Sequence, residues 1–212
     1  MVGLVGLLSA AVATAAPAQA VLNQFSYDNL RFSAIQVDIG LLSASQLSGT
    51  AVGGVRLDYG HIAPKVRVLL GASYFRAQLD RDTRNRFEDR IRNFIIDPSG
   101  DDTISVGRIF WSAVVFDLDL QYVIPQSRHV TTYVGFGIGV QLRNGSGSAI
   151  DGTFVEDALD QLAAAGNVSI GVEAQLGSGF AATADARGVV SIGLSTISLR
   201  AGMMYRWGGR RP

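Results

Sequence analysis

The chain has 212 residues, no cysteine, and 18 basic against 18 acidic residues, for a formal net charge of +0. Disulfide frameworks and thiolate metal sites are thereby excluded, and nothing suggests nucleic-acid binding, which needs a concentrated basic surface. Lys65 is the single lysine and every other cation of the basic set is arginine, whereas a soluble β-protein usually scatters lysines over its solvated faces and edges.

The first twenty residues, MVGLVGLLSAAVATAAPAQA, are an apolar run ending in Ala18-Gln19-Ala20. A small-x-small ending to such a run is the pattern of a secretory signal peptide, here residues 1–20 with cleavage before Val21, although no Lys or Arg precedes the run. It is too short and too rich in Ala and Gly for a membrane-spanning helix of roughly 20 residues, and no later segment carries about 18 consecutive apolar residues.

The rest of the chain alternates with period two, the pattern of strands with two unlike faces. Ile35, Val37, Ile39 and Leu41 alternate with Gln36, Asp38 and Gly40; Val55, Leu57 and Tyr59 with Arg56 and Asp58. After a turn at 60–64, Val66, Val68, Leu70, Ala72 and Tyr74 stand against Lys65, Arg67, Gly71 and Ser73. Beyond a long intervening segment, Val114, Phe116, Leu118, Leu120 and Tyr122 stand against Asp117, Asp119 and Gln121. Next come Thr132, Val134, Phe136, Ile138, Val140 and Leu142 against Tyr133, Gly135, Gly137, Gly139 and Gln141. Val168, Ile170, Val172, Ala174 and Leu176 follow, against Asn167, Ser169, Glu173 and Gln175, then Phe180, Ala182, Ala184 and Ala186 against Thr183, Asp185 and Arg187. Last, Ile197, Leu199, Ala201, Met203, Tyr205 and Trp207 alternate with Ser198, Arg200, Gly202, Met204 and Arg206.

This predicts eight strands of roughly 10 residues, the length a tilted strand needs to cross a bilayer. Connections alternate: short at 60–64, 125–129 and 177–179, longer at 42–49, 78–103 and 143–166, with a small one at 191–195. Short turns at one end and longer loops at the other are the habit of an up-and-down outer-membrane barrel.

The polar face decides which side meets lipid. It carries Asp38, Asp58, Asp117, Asp119, Glu173 and Asp185, and against them Arg56, Lys65, Arg67, Arg187, Arg200 and Arg206. Equal numbers of opposite charges are what a narrow lumen requires, because an unpaired buried charge is expensive. The apolar face has no charge at its central positions, as lipid demands. Tyr59, Tyr74, Tyr122, Tyr205 and Trp207 fall toward strand ends, where interfacial girdles place aromatics. The competing reading is a secreted lipocalin-like barrel with an apolar interior, which fits poorly with so charge-poor an exterior.

The expected fold class is therefore all-β: an eight-stranded antiparallel up-and-down transmembrane β-barrel over residues 21–212. As an ensemble of signal peptide, eight alternating strands and a final strand ending Tyr205-Arg206-Trp207, the chain resembles the small eight-stranded outer-membrane barrels of the OmpA/OmpX type. The resemblance implies residence in a bacterial outer membrane, contact with its lipids and lipopolysaccharide, and insertion by the barrel-assembly machinery through the aromatic C-terminal strand. The Gly-Gly-Arg-Arg-Pro tail after Trp207 departs from that signal.

The loops offer the remaining candidates. Within residues 80–103, Phe87, Ile91, Phe94 and Ile95 recur at helical spacing among alternating Asp and Arg, predicting a short amphipathic helix whose arginines either grip phosphates of lipopolysaccharide or pair locally. Local pairing is the commoner outcome for exposed charges. The Asp-rich stretch 97–102 lacks the spacing of a calcium loop, and residues 154–166 read as a second short loop helix. No metal or cofactor site is expected. A lipid-modifying enzyme is disfavoured: His61 and His129 are the only histidines, Thr131 stands where a His-x-Ser pattern needs serine, and both histidines fall at the short-turn end. An eight-stranded barrel is just wide enough for its side chains to fill, so a packed polar interior is expected rather than a wide pore. Gly135, Gly137 and Gly139 make room for neighbouring arginines or Trp111, or else leave a narrow channel. The expected function is non-enzymatic, in outer-membrane structure or surface interaction through the loops.

Overall fold

The structure, a computed structural model, describes residues 25–45, 47–80, 109–146 and 161–207. Within them the chain forms β1 (Leu30–Ala44), β2 (Thr50–Ala63), β3 (Val66–Gln78), β4 (Phe110–Pro125), β5 (Val130–Ser146), β6 (Gln161–Gly177), β7 (Phe180–Ser191) and β8 (Leu194–Arg206). Each strand pairs antiparallel with its sequence neighbours, and β1 pairs with β8, closing the barrel. Closure leaves no unpaired sheet edge, a condition that any sheet lying in hydrocarbon must meet.

The strands are longer than the crossing length read from the alternation, from 12 residues in β7 to 17 in β5 and β6. The short turns are tighter than expected. Pro64 and Lys65 alone join β2 to β3, with a fixed proline φ at the first corner and a positive φ of 66° at Lys65, the type II pattern. Residues 126–129 join β4 to β5, and Ser178-Gly179 joins β6 to β7. At the opposite end residues 45–49, 79–109, 147–160 and 192–193 make the connections.

The segment 154–166 corrects one expectation. Gln161–Gly166 is not helical but opens β6, with Ala163 and Ala165 buried opposite Gln141 and Gly139. Alanine favours helices in isolation, but here ladder pairing and a narrow interior that accepts only small side chains override that preference. The rest of that stretch, the helix expected within 80–103, the stretch 97–102 and residues 1–20 lie outside the described residues, apart from Asp80.

The outward face is apolar along every strand: Ile39, Leu41, Ile138, Phe136, Val168, Ile170 and Leu199 are each more than half exposed. Arg76 is a charged residue of this face, and it and the exposed Arg31 both sit near strand ends. The Arg76 guanidinium lies 4.8 Å from the Phe110 ring, where a long side chain reaches the interface.

Candidate functional site: the barrel interior

Inward-facing residues divide the interior into tiers. In the half toward the short turns a small apolar patch of Ala34, Ala181 and Met204 adjoins a tier of ion pairs. Arg56, from β2, reaches Asp185 of β7 at 3.3 Å and Asp38 of β1 at 3.7 Å. Arg200 of β8 meets the same Asp38 at 3.3 Å. Arg187 of β7 crosses to β4, holding Asp117 at 2.7 Å and Asp119 at 2.8 Å. The paired carboxylates two residues apart on β4 are thus an arginine receptor. Asn167 donates to Asp119 as well, at 2.9 Å. Nearer the short turns, Arg67 pairs with Glu173, donates to Gln121 at 2.7 and 2.9 Å and lies 3.8 Å from Asp58. Arg206 holds the second Glu173 oxygen at 3.2 Å. Tyr133 adds its ring beneath Arg67, 5.1 Å away, and its hydroxyl donates to Asp185 at 3.5 Å.

Every guanidinium in this tier therefore faces one or two carboxylates, the arrangement that makes buried charge tolerable. Burial is nearly complete: the Asp38 and Asp119 side chains are 0 % exposed. Packing of this kind requires glycine on the facing strand. A Cβ on Gly137 would overlap the Asp119 carboxylate, and one on Gly71 would overlap that of Asp117. The Gly135–Gly139 series thus admits Gln121, Asp119 and Asp117 from β4, not Trp111, which sits opposite Gly145.

Among the polar-face residues expected from sequence, Asp38, Arg56, Asp58, Arg67, Asp117, Asp119, Glu173, Asp185, Arg187 and Arg200 are buried inside, with Arg206 half-buried at the short-turn end. Lys65 is the exception. It is exposed in the β2–β3 turn and belongs to no interior network, because the strand that carries the alternation begins one residue later, at Val66. Tyr59, Tyr122, Tyr205 and Trp207 gather at the short-turn end, where Tyr205 stacks between Phe180 at 4.9 Å and Trp207 at 5.7 Å, and Tyr59 packs on Phe32 at 4.8 Å. Tyr74 lies on the outer face in the other half. His61 and His129 are at the short-turn end, His61 lining a cleft of about 490 Å3 with Ser26, Asn29 and Lys65.

Toward the long-connection end the interior changes character. Leu42, Leu47, Val52, Phe75, Leu79, Ile109, Trp111, Val115 and Leu194 form one buried apolar cluster. The bridge between Leu47 and Leu79 ties its upper margin. Sequence alternation expected polar groups throughout the interior; here the inward faces of β3 and β4 are apolar. Beside the cluster stands Arg143, read from sequence as loop but placed in β5. It spans to the β7–β8 turn, donating to the Ile192 carbonyl at 2.9 Å and to Ser191, and to Gln141 at 3.0 Å.

No family model matches the chain, and no curated protein matches it. Solved structures do. Neisserial surface protein A is 11% identical, with a TM-score of 0.55 over 82% of this chain and 96% of that one. The N-terminal β-barrel domain of Pseudomonas aeruginosa OprF is 12% identical, with a TM-score of 0.51 over 83% of this chain and 98% of that one. Ail of Yersinia pestis, the attachment invasion locus protein, is 11% identical, with a TM-score of 0.48 over 83% and 99%. At such identities the likeness speaks to architecture alone, and the architecture is that of the small eight-stranded outer-membrane β-barrels.

Proposed function

We propose that this chain resides in a bacterial outer membrane and works through its loop-bearing end, in outer-membrane structure or surface interaction, rather than as an open pore or an enzyme. The observation that carries the reading is the tier of ion pairs. Its central carboxylates and guanidiniums are at most 5 % exposed at the side chain, which argues against a continuous column of water there. The four longer or rim connections, by contrast, share one end of a rigid barrel, the usual division of labour between scaffold and recognition loops. Residues 1–20 act in this reading as a cleaved signal peptide, and β8 with the adjoining Trp207 as the segment read during insertion.

The test has two parts. Protein reconstituted in planar bilayers is expected to show no steady conductance; sustained ohmic openings at modest voltage would establish a channel instead. Replacing residues 81–108 by a short Gly/Ser linker is expected to leave a heat-modifiable barrel and to weaken the binding of intact protein to bacterial surfaces. Unchanged binding would remove that loop from the function.

A further inference from the structure

Arg143 differs from every other buried arginine of the interior. Arg56, Arg67, Arg187, Arg200 and Arg206 each face a carboxylate. Arg143 is 4% exposed and, among the described residues, meets only neutral acceptors: Gln141, Ser191, the Ile192 carbonyl and, at 3.5 Å, Gln161. Among the described residues its Nε has no acceptor. Its guanidinium lies 5.8 Å from the ring of Trp111, a residue 9% exposed, whose Nε1 is a second buried donor without an acceptor among the described residues. Among the described residues, two N–H donors without acceptors and a cation without a carboxylate partner thus belong to neighbouring side chains. Groups so buried cost free energy until an acceptor arrives.

The position shows where that acceptor comes from. Arg143 holds the β7–β8 turn, whose Ile192 is 79% exposed, and a Cβ on Gly193 would stand 3.8 Å from its Nη1. The site therefore lies just beneath the rim at the long-connection end. Its surroundings show what kind of acceptor fits. One cation balances one negative charge, so a singly charged carboxylate suits it better than a phosphate dianion. Trp111 and Leu194 belong to the apolar cluster, and the Leu194 carbonyl accepts from the same Ser191 hydroxyl that meets Arg143. A ligand head group here rests against an apolar floor. We propose that the outer mouth of the barrel is a binding site for an organic acid with an apolar body, its carboxylate accepting from Arg143 and Trp111. The site is independent of whether the loops engage a partner.

Trp111 and Trp207 are the only tryptophans, so Trp207→Phe leaves a single reporter within the site. The full chain carrying that change, in phosphatidylcholine nanodiscs without detergent, is titrated with decanoate, decanol, acetate and inorganic phosphate while Trp111 emission is followed. Decanoate is expected to give a saturable shift, as the indole N–H gains an acceptor, and the other three none. Adding Arg143→Gln is expected to weaken decanoate about tenfold or more, the worth of a charge-assisted hydrogen bond. If that variant does not assemble, Arg143→Lys, which keeps the charge and loses the fork, is expected to bind several-fold more weakly. An equal response to decanol would mean mere partitioning. An equal response to acetate or phosphate would mean an anion site without apolar selection. Either result, no response, or affinity indifferent to both Arg143 substitutions, overturns the proposal.

Discussion

Replacing Arg187 by methionine removes the cation that neutralises two carboxylates while keeping an apolar stem of similar reach. Its two contacts, 2.7 Å to Asp117 and 2.8 Å to Asp119, lie where all three side chains are at most 5 % exposed. A pair of unit charges about 4 Å apart at an effective dielectric near 20 attracts by about 4 kcal/mol, and the restored freedom from burying the guanidinium offsets part of the sum. The net loss expected for breaking such a buried group is about 3–5 kcal/mol. Asp119 keeps its bond from Asn167, whereas Asp117 loses its closest counter-charge. Reversible urea unfolding in phospholipid vesicles, followed by tryptophan emission, measures the difference. The companion variant Arg187→Met with Asp117→Asn and Asp119→Asn removes all three charges together and is expected to recover most of the loss, since replacing a whole buried ionic group is often nearly neutral. A single variant within about 1 kcal/mol of the native protein, or a triple variant no better than the single, would refute the account of this tier as a mutually dependent ionic cluster.

Leu118→Arg or Ile170→Arg, both on the outer face, is expected to cost about 2–4 kcal/mol if at mid-bilayer, read as a fall in the heat-modifiable fraction. Gly137→Val is expected to destabilise by about 1–3 kcal/mol or more by overlapping Asp119 and the Leu118 carbonyl, while Gly166→Ala, with open space around it, stays within about 0.5 kcal/mol in the same unfolding assay. Lys65→Gly relieves a left-handed backbone in an exposed turn and is expected to raise stability by up to about 1 kcal/mol; a loss would place Lys65 in an interaction the turn geometry does not reveal. N-terminal sequencing of protein purified from outer membranes is expected to begin at Val21, and an intact Met1 would remove the signal-peptide reading.

Much of the architecture was legible because a barrel in lipid imposes a strict period of two on the chain. Asp38, Arg56 and Arg200 stand out amid apolar neighbours, so their inward orientation and even their mutual neutralisation follow from pattern and charge balance. The upper interior was illegible for the complementary reason. Phe75, Val115 and Trp111 face inward beside the outward-facing Tyr74, Val114 and Phe116, so both faces are apolar and alternation carries no signal. Arg143 was missed with it, since a run such as Gln141-Leu142-Arg143-Asn144-Gly145 reads as the approach to a loop unless the partner strand is known to continue to Gln161. Lys65 shows the limit of extending a period one residue past a turn.

The pairing of β1 with β8 joins the first strand made to the last, and the charges across that seam act as a proofreading device. A slip of one residue would carry Arg200 to the lipid face. A slip of two keeps every side chain on its proper face, so hydrophobicity cannot detect it. In the direction that sets Arg200 opposite Leu42 it would draw Arg200 away from Asp38 by about 7 Å, breaking a contact of 3.3 Å and leaving Asp38 to Arg56 alone, whereas the opposite slip sets Arg200 directly across from Asp38 and keeps their attraction. Greasiness sorts odd registers from even, and electrostatics rejects the even slip that parts this pair. Closure is thereby biased against the slips that turn Arg200 toward lipid or part it from Asp38.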